Sequence, residues 1–130
     1  MTIFLDRKVI LYIAGRLSGL NEYTKACRTN KYAGAKLKEQ NEKKVAAAIY
    51  STCPTVQFKK PVQIIYRWHE QNKRRDKDNI AFAKKFINDA LVECGTLQGD
   101  GWQYVTGFVD EFYIDKENPH VEVEIREVEE

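Results

Sequence analysis

Residues 78–94 constrain this chain most, because Ile80, Ala83, Ile87, Ala90, Leu91 and Cys94 recur at helical spacing and line one face. Phe82 and Phe86 widen that face, so a helix here must be covered over much of its circumference. Gly95 stands where such a helix ends. Two apolar segments read as strands. Residues 9–14, Val-Ile-Leu-Tyr-Ile-Ala, are rich in β-branched and aromatic side chains, and in residues 62–68 Val62, Ile64, Tyr66 and Trp68 alternate with Gln63, Ile65 and Arg67. Residues 104–114 and 121–128 predict two further strands joined through Asn118-Pro119, as an antiparallel hairpin. A second helix is expected over residues 35–49, with Leu37, Val45, Ala48 and Ile49 on one side and Pro54 beyond its end. Residues 16–34 contain Ser18, Gly19, Asn21 and Thr29-Asn30 with little periodicity and read as a long loop.

The order β-α-β-α-β-β predicts an α+β fold, a mixed β-sheet with helices packed on it. At 130 residues, 43% hydrophobic and 31% charged, residues 1–130 fit one folded domain with a real core. Apolar runs such as residues 9–14 and 45–50 are far shorter than the roughly 20 residues of a membrane-spanning helix. No small-residue cleavage site follows residues 1–8, so a cytoplasmic location and no membrane partner are expected. Cys27, Cys53 and Cys94 are odd in number and widely spaced, which suggests reduced thiols rather than a disulfide framework or a zinc site.

Net charge is only +2, but it is unevenly distributed. Residues 110–130 hold nine acids against Lys116 and Arg126, and the preceding part, with 19 bases and 10 acids, is +9. Its densest stretch runs through Lys59, Lys60, Arg67, Lys73, Arg74, Arg75 and Lys77, a plausible surface for a polyanion because clustered cations release counterions from phosphates. The acidic carboxy-terminal strand is read instead as a soluble sheet edge.

Within that basic stretch the run Arg74-Arg75-Asp76-Lys77-Asp78-Asn79 opens the strong helix. Asp78 is placed as an N-cap and Asp76 near the positive helix end, yet two carboxylates two residues apart beside cations also make half of a divalent-metal site. Magnesium prefers oxygen ligands and keeps several waters, so a third acid is wanted. Asp89 lies about 16 Å along the helix from Asp78. Asp100, in the turn Gly99-Asp100-Gly101, can return toward the sheet; an ordinary turn acid is the competing reading.

Asp76-x-Asp78-Asn79 after arginines, a helix with Asp89-Ala90-Leu91, then Gly95 and an acid at Asp100 resembles the RusA family of Holliday junction resolvases over residues 74–105. Residues 17–23, Leu-Ser-Gly-Leu-Asn-Glu-Tyr, are similar to the Ser and Asn pattern after that family's first strand, without its usual prolines. The resemblance implies a RusA-like homodimer, a magnesium-dependent endonuclease cutting four-way DNA junctions by paired nicks and often encoded by phages and prophages. Manganese is a possible substitute ion. Asp76, Asp78 and Asp100 match the family's metal-binding acids and Asn79 its motif asparagine. Gly99 replaces the first of an acid pair, and Phe82 replaces a functional lysine.

Lys85, seven residues from Asp78 and so nearly on the same helix face, is the candidate substitute for that lysine, against the plainer reading of a solvated side chain. On this reading Asp76, Asp78 and Asp100 bind the metal. Lys73, Arg74, Arg75, Lys77 and Asn79 hold branched double-stranded DNA, with Lys25, Arg28 and Lys31 as possible additions. Tyr66 is assigned to the core, and Trp68 and Trp102 to core, dimer interface or base stacking. His69 and His120, far apart with no ligand spacing, are given surface or hydrogen-bonded roles. Two alternatives remain: a non-cleaving branched-DNA-binding relative, and a phage adaptor with no metal site whose aspartates only cap a helix.

Overall fold

A computed structural model describes residues 3–129. Met1, Thr2 and Glu130, which belong to the terminal segments read above, lie outside the described residues. The elements run β1 (Ile3–Ala14), α1 (Leu20–Thr29), α2 (Ala33–Thr52), β2 (Val62–Glu70), α3 (Lys77–Ala81), α4 (Lys84–Glu93), β3 (Val105–Ile114) and β4 (His120–Glu129). The α+β class and the mixed sheet agree with expectation. The sheet order is β1-β4-β2-β3, with β4 antiparallel to both β1 and β2, and β2 parallel to β3.

Strand pairing differs from the predicted hairpin. The Asn118-Pro119 turn does join β3 to β4, but β2 lies between them. Nor is the acidic last strand an edge. Val121, Val123 and Ile125 of β4 enter the core, while Glu122 and Glu124 on the other face meet Arg67 of β2, which also reaches Glu111 of β3. An arginine on β2 thus gives acids on both neighbouring strands a cation, and a central position for β4 becomes compatible with its charge.

The core lies between one sheet face and the helices. Leu11 and Ile13 of β1, Ile64, Tyr66 and Trp68 of β2, and Val121, Val123 and Ile125 of β4 pack with Val45, Ala48 and Ile49 of α2 and with Phe86, Ile87 and Leu91 of α4. The helix predicted over residues 78–94 is two helices. Ala83, Lys85 and Phe86 donate to the carbonyls of Ile80, Phe82 and Ala83, tight three-residue bonds that turn the chain between α3 and α4. The apolar face survives this break, since Ile80, Ala83, Ile87, Ala90 and Leu91 are all buried. Gly95 ends α4 with a φ of 81°, a conformation that side chains with a Cβ rarely adopt.

Residues 16–34, read as a loop, contain α1. No residue of α1 is fully buried, and Gly19 at its N-cap offers no capping side chain, so the usual local mark of a helix start is missing.

Between α4 and β2 the Tyr66 hydroxyl donates to Asn88 Oδ1, with both residues buried. Burial raises the Tyr66 pKa far above its ordinary value, so it remains a neutral donor. Tyr66→Phe strands the Asn88 amide oxygen and is expected to lower unfolding free energy by about 1–3 kcal/mol in urea titrations; an unchanged midpoint would contradict this docking.

Candidate functional site

The end of β2 organises the region that carries the sequence motif. Glu70, 5% exposed, is the last residue of the strand and faces the helices. Five residues later Arg75 turns back onto it. Its Nε and Nη2 donate to Glu70 Oε1 at 3.0 and 2.9 Å, and Nη2 also donates to Oε2 at 2.9 Å. Arg75 Nη1 donates to the Leu17 carbonyl at 3.0 Å and meets Glu22 Oε1 at 3.4 Å. A guanidinium can do this because its rigid fork of donors serves several acceptors at once. Arg75, expected to hold DNA, is therefore committed to an internal clamp.

Asn79, also expected at the DNA surface, is buried and acts on α1. Gly19, the N-cap of α1, has no side chain with which to cap it, and Asn79 Oδ1 accepts the Asn21 N–H at 2.9 Å in its place. A Cβ at Gly19 would lie 2.6 Å from that oxygen, which accounts for the glycine. Glu22 Oε1 accepts from the Gly19 N–H, and buried Asn41 of α2 accepts the Ser18 N–H at 2.8 Å. The two segments singled out in the sequence, residues 17–23 and 74–79, are thus stitched together by Arg75 and Asn79.

This frame leaves Asp76 and Asp78 exposed at the start of α3. The N-cap is Asp76 rather than Asp78, and its side chain makes no capping bond. Asp78 Oδ1 accepts only from the adjacent Asn79 N–H. Neither carboxylate pairs with a cation among the described residues, and the exposed Lys73, Arg74 and Lys77 likewise form no salt bridge there. Lys73, Asp76, Lys77 and Asp78 line an open groove floored by Ile80 and Phe112. Lys77 Nζ lies 5.6 Å from the Phe112 ring centre.

Asp100 does not join them within one chain. The Gly99-Asp100-Gly101 turn precedes β3, whose Val105 pairs with Val62 at the beginning of β2, whereas Asp76 and Asp78 follow the end of β2 at Glu70. Nine residues of strand separate the two ends, about 26 Å. The expected fold-back fails because the β2-to-β3 connection is a parallel crossover, which delivers the chain to the opposite end of the sheet. Gly99, where an acid was expected, is fixed by packing: a Cβ there would lie 2.8 Å from the Tyr104 ring.

Phe82 packs against Tyr23 and Phe86, with ring centres 5.4 and 5.6 Å away, which explains an aromatic where the resemblance implies a lysine. Lys85 shares a groove with Asp78, but its ammonium lies 3.2 Å from Asp89. Lys25 and Arg28 sit on α1 beside Asn21, and Lys31 lies 5.1 Å from the Tyr32 ring centre. Tyr66 and Trp68 are buried, so neither presents a face to a base, whereas Trp102 is 96% exposed two residues after Asp100.

The two histidines are neighbours in space. His69 and His120 pair directly across β2 and β4, and one ligand atom from each lies with one from Asp115 in a cluster no more than 4.8 Å across. Burial first, and then His120, lower the His69 pKa. Only the strand order joins these residues, so spacing could not reveal them.

No protein-family model matches the chain, and no curated protein matches it. No helix among the described residues is long and apolar enough to cross a membrane.

Gly19→Ala and Asn79→Ala each break the same tie, by collision and by loss of the cap. Each is expected to cost about 1–2 kcal/mol, and the double variant less than the sum. Full additivity in urea unfolding would show that the two residues act independently.

Proposed function

We propose that this protein is a magnesium-dependent endodeoxyribonuclease acting on four-way and related branched DNA as a RusA-like homodimer, cutting by paired nicks. The observation that carries the reading is the exposed pair Asp76 and Asp78, unpaired with any cation among the described residues and sharing a groove with exposed Lys73 and Lys77, with exposed Arg74 on the adjoining surface beside Asn72. Capping accounts poorly for Asp76, which makes no cap bond, and uses only one oxygen of Asp78, which accepts the Asn79 N–H. Two carboxylates and surrounding waters suit magnesium, or manganese in its stead, as part of an oxygen shell.

A bound magnesium ion supplies positive charge to the scissile phosphodiester and makes an attacking water more acidic. The chain contributes position. Asp76 and Asp78 hold the ion from a helix start kept rigid by Arg75 and Asn79, and Lys73, Arg74 and Lys77 hold flanking phosphates without reading sequence. Lys85 brings a further cation to the groove on the other side of Asp78. Since Asp100 of the same chain is about one strand length away, a three-acid site takes that residue from a second copy. A dimer of this kind is incomplete as a monomer and has two equal sites, one for each strand to be nicked.

The remoteness of Asp100 also favours a second reading, a branched-DNA binder that does not cleave. Mixing inactive subunits separates the two. Asp76→Asn and Asp100→Asn proteins, each silent alone, are expected to regain about a quarter of wild-type nicking of a four-way junction when co-refolded in equal amounts, because a mixed dimer has one intact shared site. No recovery would contradict the shared site. Absence of nicking by the wild type with magnesium or manganese, together with retained junction binding, would establish the non-cleaving reading.

A further inference from the structure

We propose that His69, Asp115 and His120 form a second metal site, for a divalent transition ion of the zinc class, separate from Asp76 and Asp78. His69 lies at the end of β2, His120 at the start of β4, and Asp115 just beyond β3, so three sheet elements converge on one point. Backbone bonds hold the convergence. The Asp115 N–H donates to the Glu70 carbonyl at 2.7 Å, and Asp115 Oδ1 accepts the Asn118 N–H at 3.1 Å.

The protonation pattern suits a metal. His120 Nδ1 lies 2.7 Å from the Asn118 carbonyl, which can only accept, so the proton sits on Nδ1 and the lone pair on Nε2. His69 Nε2 is buried and has no hydrogen-bond partner among the described residues. That ring nitrogen stands beside a second imidazole and a carboxylate, the kind of donor set that serves an electron-pair acceptor. Tyr12, His120, His69 and Tyr113 form one stack across all four strands, with successive centres 4.6, 4.0 and 4.8 Å apart; in this parallel arrangement the imidazole lone pairs run side by side, so taking up an ion turns at least one histidine ring out of the stack.

Two imidazoles and one carboxylate are a three-ligand set of the kind zinc takes with a water in the fourth position. Magnesium, which demands oxygen, is a poor match. Ligand atoms around a tetrahedral zinc ion are about 3.3 Å apart, so His69 and His120 would turn about their side-chain bonds, out of the parallel stack, to bring their lone pairs and the Asp115 carboxylate to one point. Glu70, the next residue after His69, faces the opposite side of the sheet, so the ion would fasten the end of β2 from behind the Arg75 clamp.

The chain has only two histidines, which makes the test direct. Imidazole nitrogen and carbon-bound proton resonances are followed in the full chain, freed of any histidine tag, during titration with zinc chloride. Both ring systems are expected to move together and saturate at one zinc per chain, with affinity at least about tenfold weaker in Asp115→Asn and His120→Gln and unchanged in Cys27→Ser. Asn at position 115 can still accept the Asn118 N–H, so that variant retains the local turn. Movement of one ring only, no movement, unchanged affinity in Asp115→Asn, or an equal response to magnesium would overturn the proposal.

Discussion

The guanidinium of Arg75 reaches back to the end of β2, spans both oxygens of Glu70, and at the same time takes the Leu17 carbonyl from the connection after β1. Two stretches far apart in sequence, the end of β2 and the connection after β1, thus meet on one side chain that is 13% exposed. Removing one member of so buried a pair typically costs about 3–5 kcal/mol, because the other charge is left unpaired. Lysine could not replace it, since a single ammonium lacks the planar fork that serves a carboxylate and a carbonyl together. Asn79 continues the same work one helical turn on, capping α1 from outside. Between Arg75 and Asn79 the backbone has little freedom, and Asp76 and Asp78 are presented to solvent from a fixed edge.

That arrangement divides the basic run by role. Arg75 turns inward, while Lys73, Arg74 and Lys77 remain outward, so one short motif serves both structure and surface. The acids divide in a similar way. Glu70 is held by Arg75, Asp89 by Lys38 and Lys85, and Asp110 by Lys84 and the Trp68 indole N–H. Among the described residues Asp76 and Asp78 are left with no cation of their own, in a groove they share with Lys73 and Lys77.

Much of the fold was legible because it rests on local periodicity. The β2 alternation and the Ile80 to Leu91 face needed only neighbours in sequence, and Gly95 marked the end of α4 by its own backbone requirement. The strand order was not legible, because β4 pairs with β1 and β2 rather than with the strand that precedes it, and the acids that meet Arg67 across β2 are at least 44 residues away. The α1 helix was hidden for a related reason: its cap is supplied by Asn79, 58 residues on. Within the site, the motif acids could be named from the sequence, but the inward turn of Arg75 and the separation of Asp100 depend on the parallel crossover. The His69–His120 contact follows from the β2–β4 register and has no trace in residue spacing.

Backbone amide hydrogen exchange of Arg75→Gln against the wild type tests most directly whether one clamp organises the region. Protection is expected to fall at the start of α1, around Asn21 to Tyr23, and through α3, while β1 and β4 keep theirs. Loss confined to the residues beside position 75, with α1 unchanged more than 50 residues away, would contradict the account.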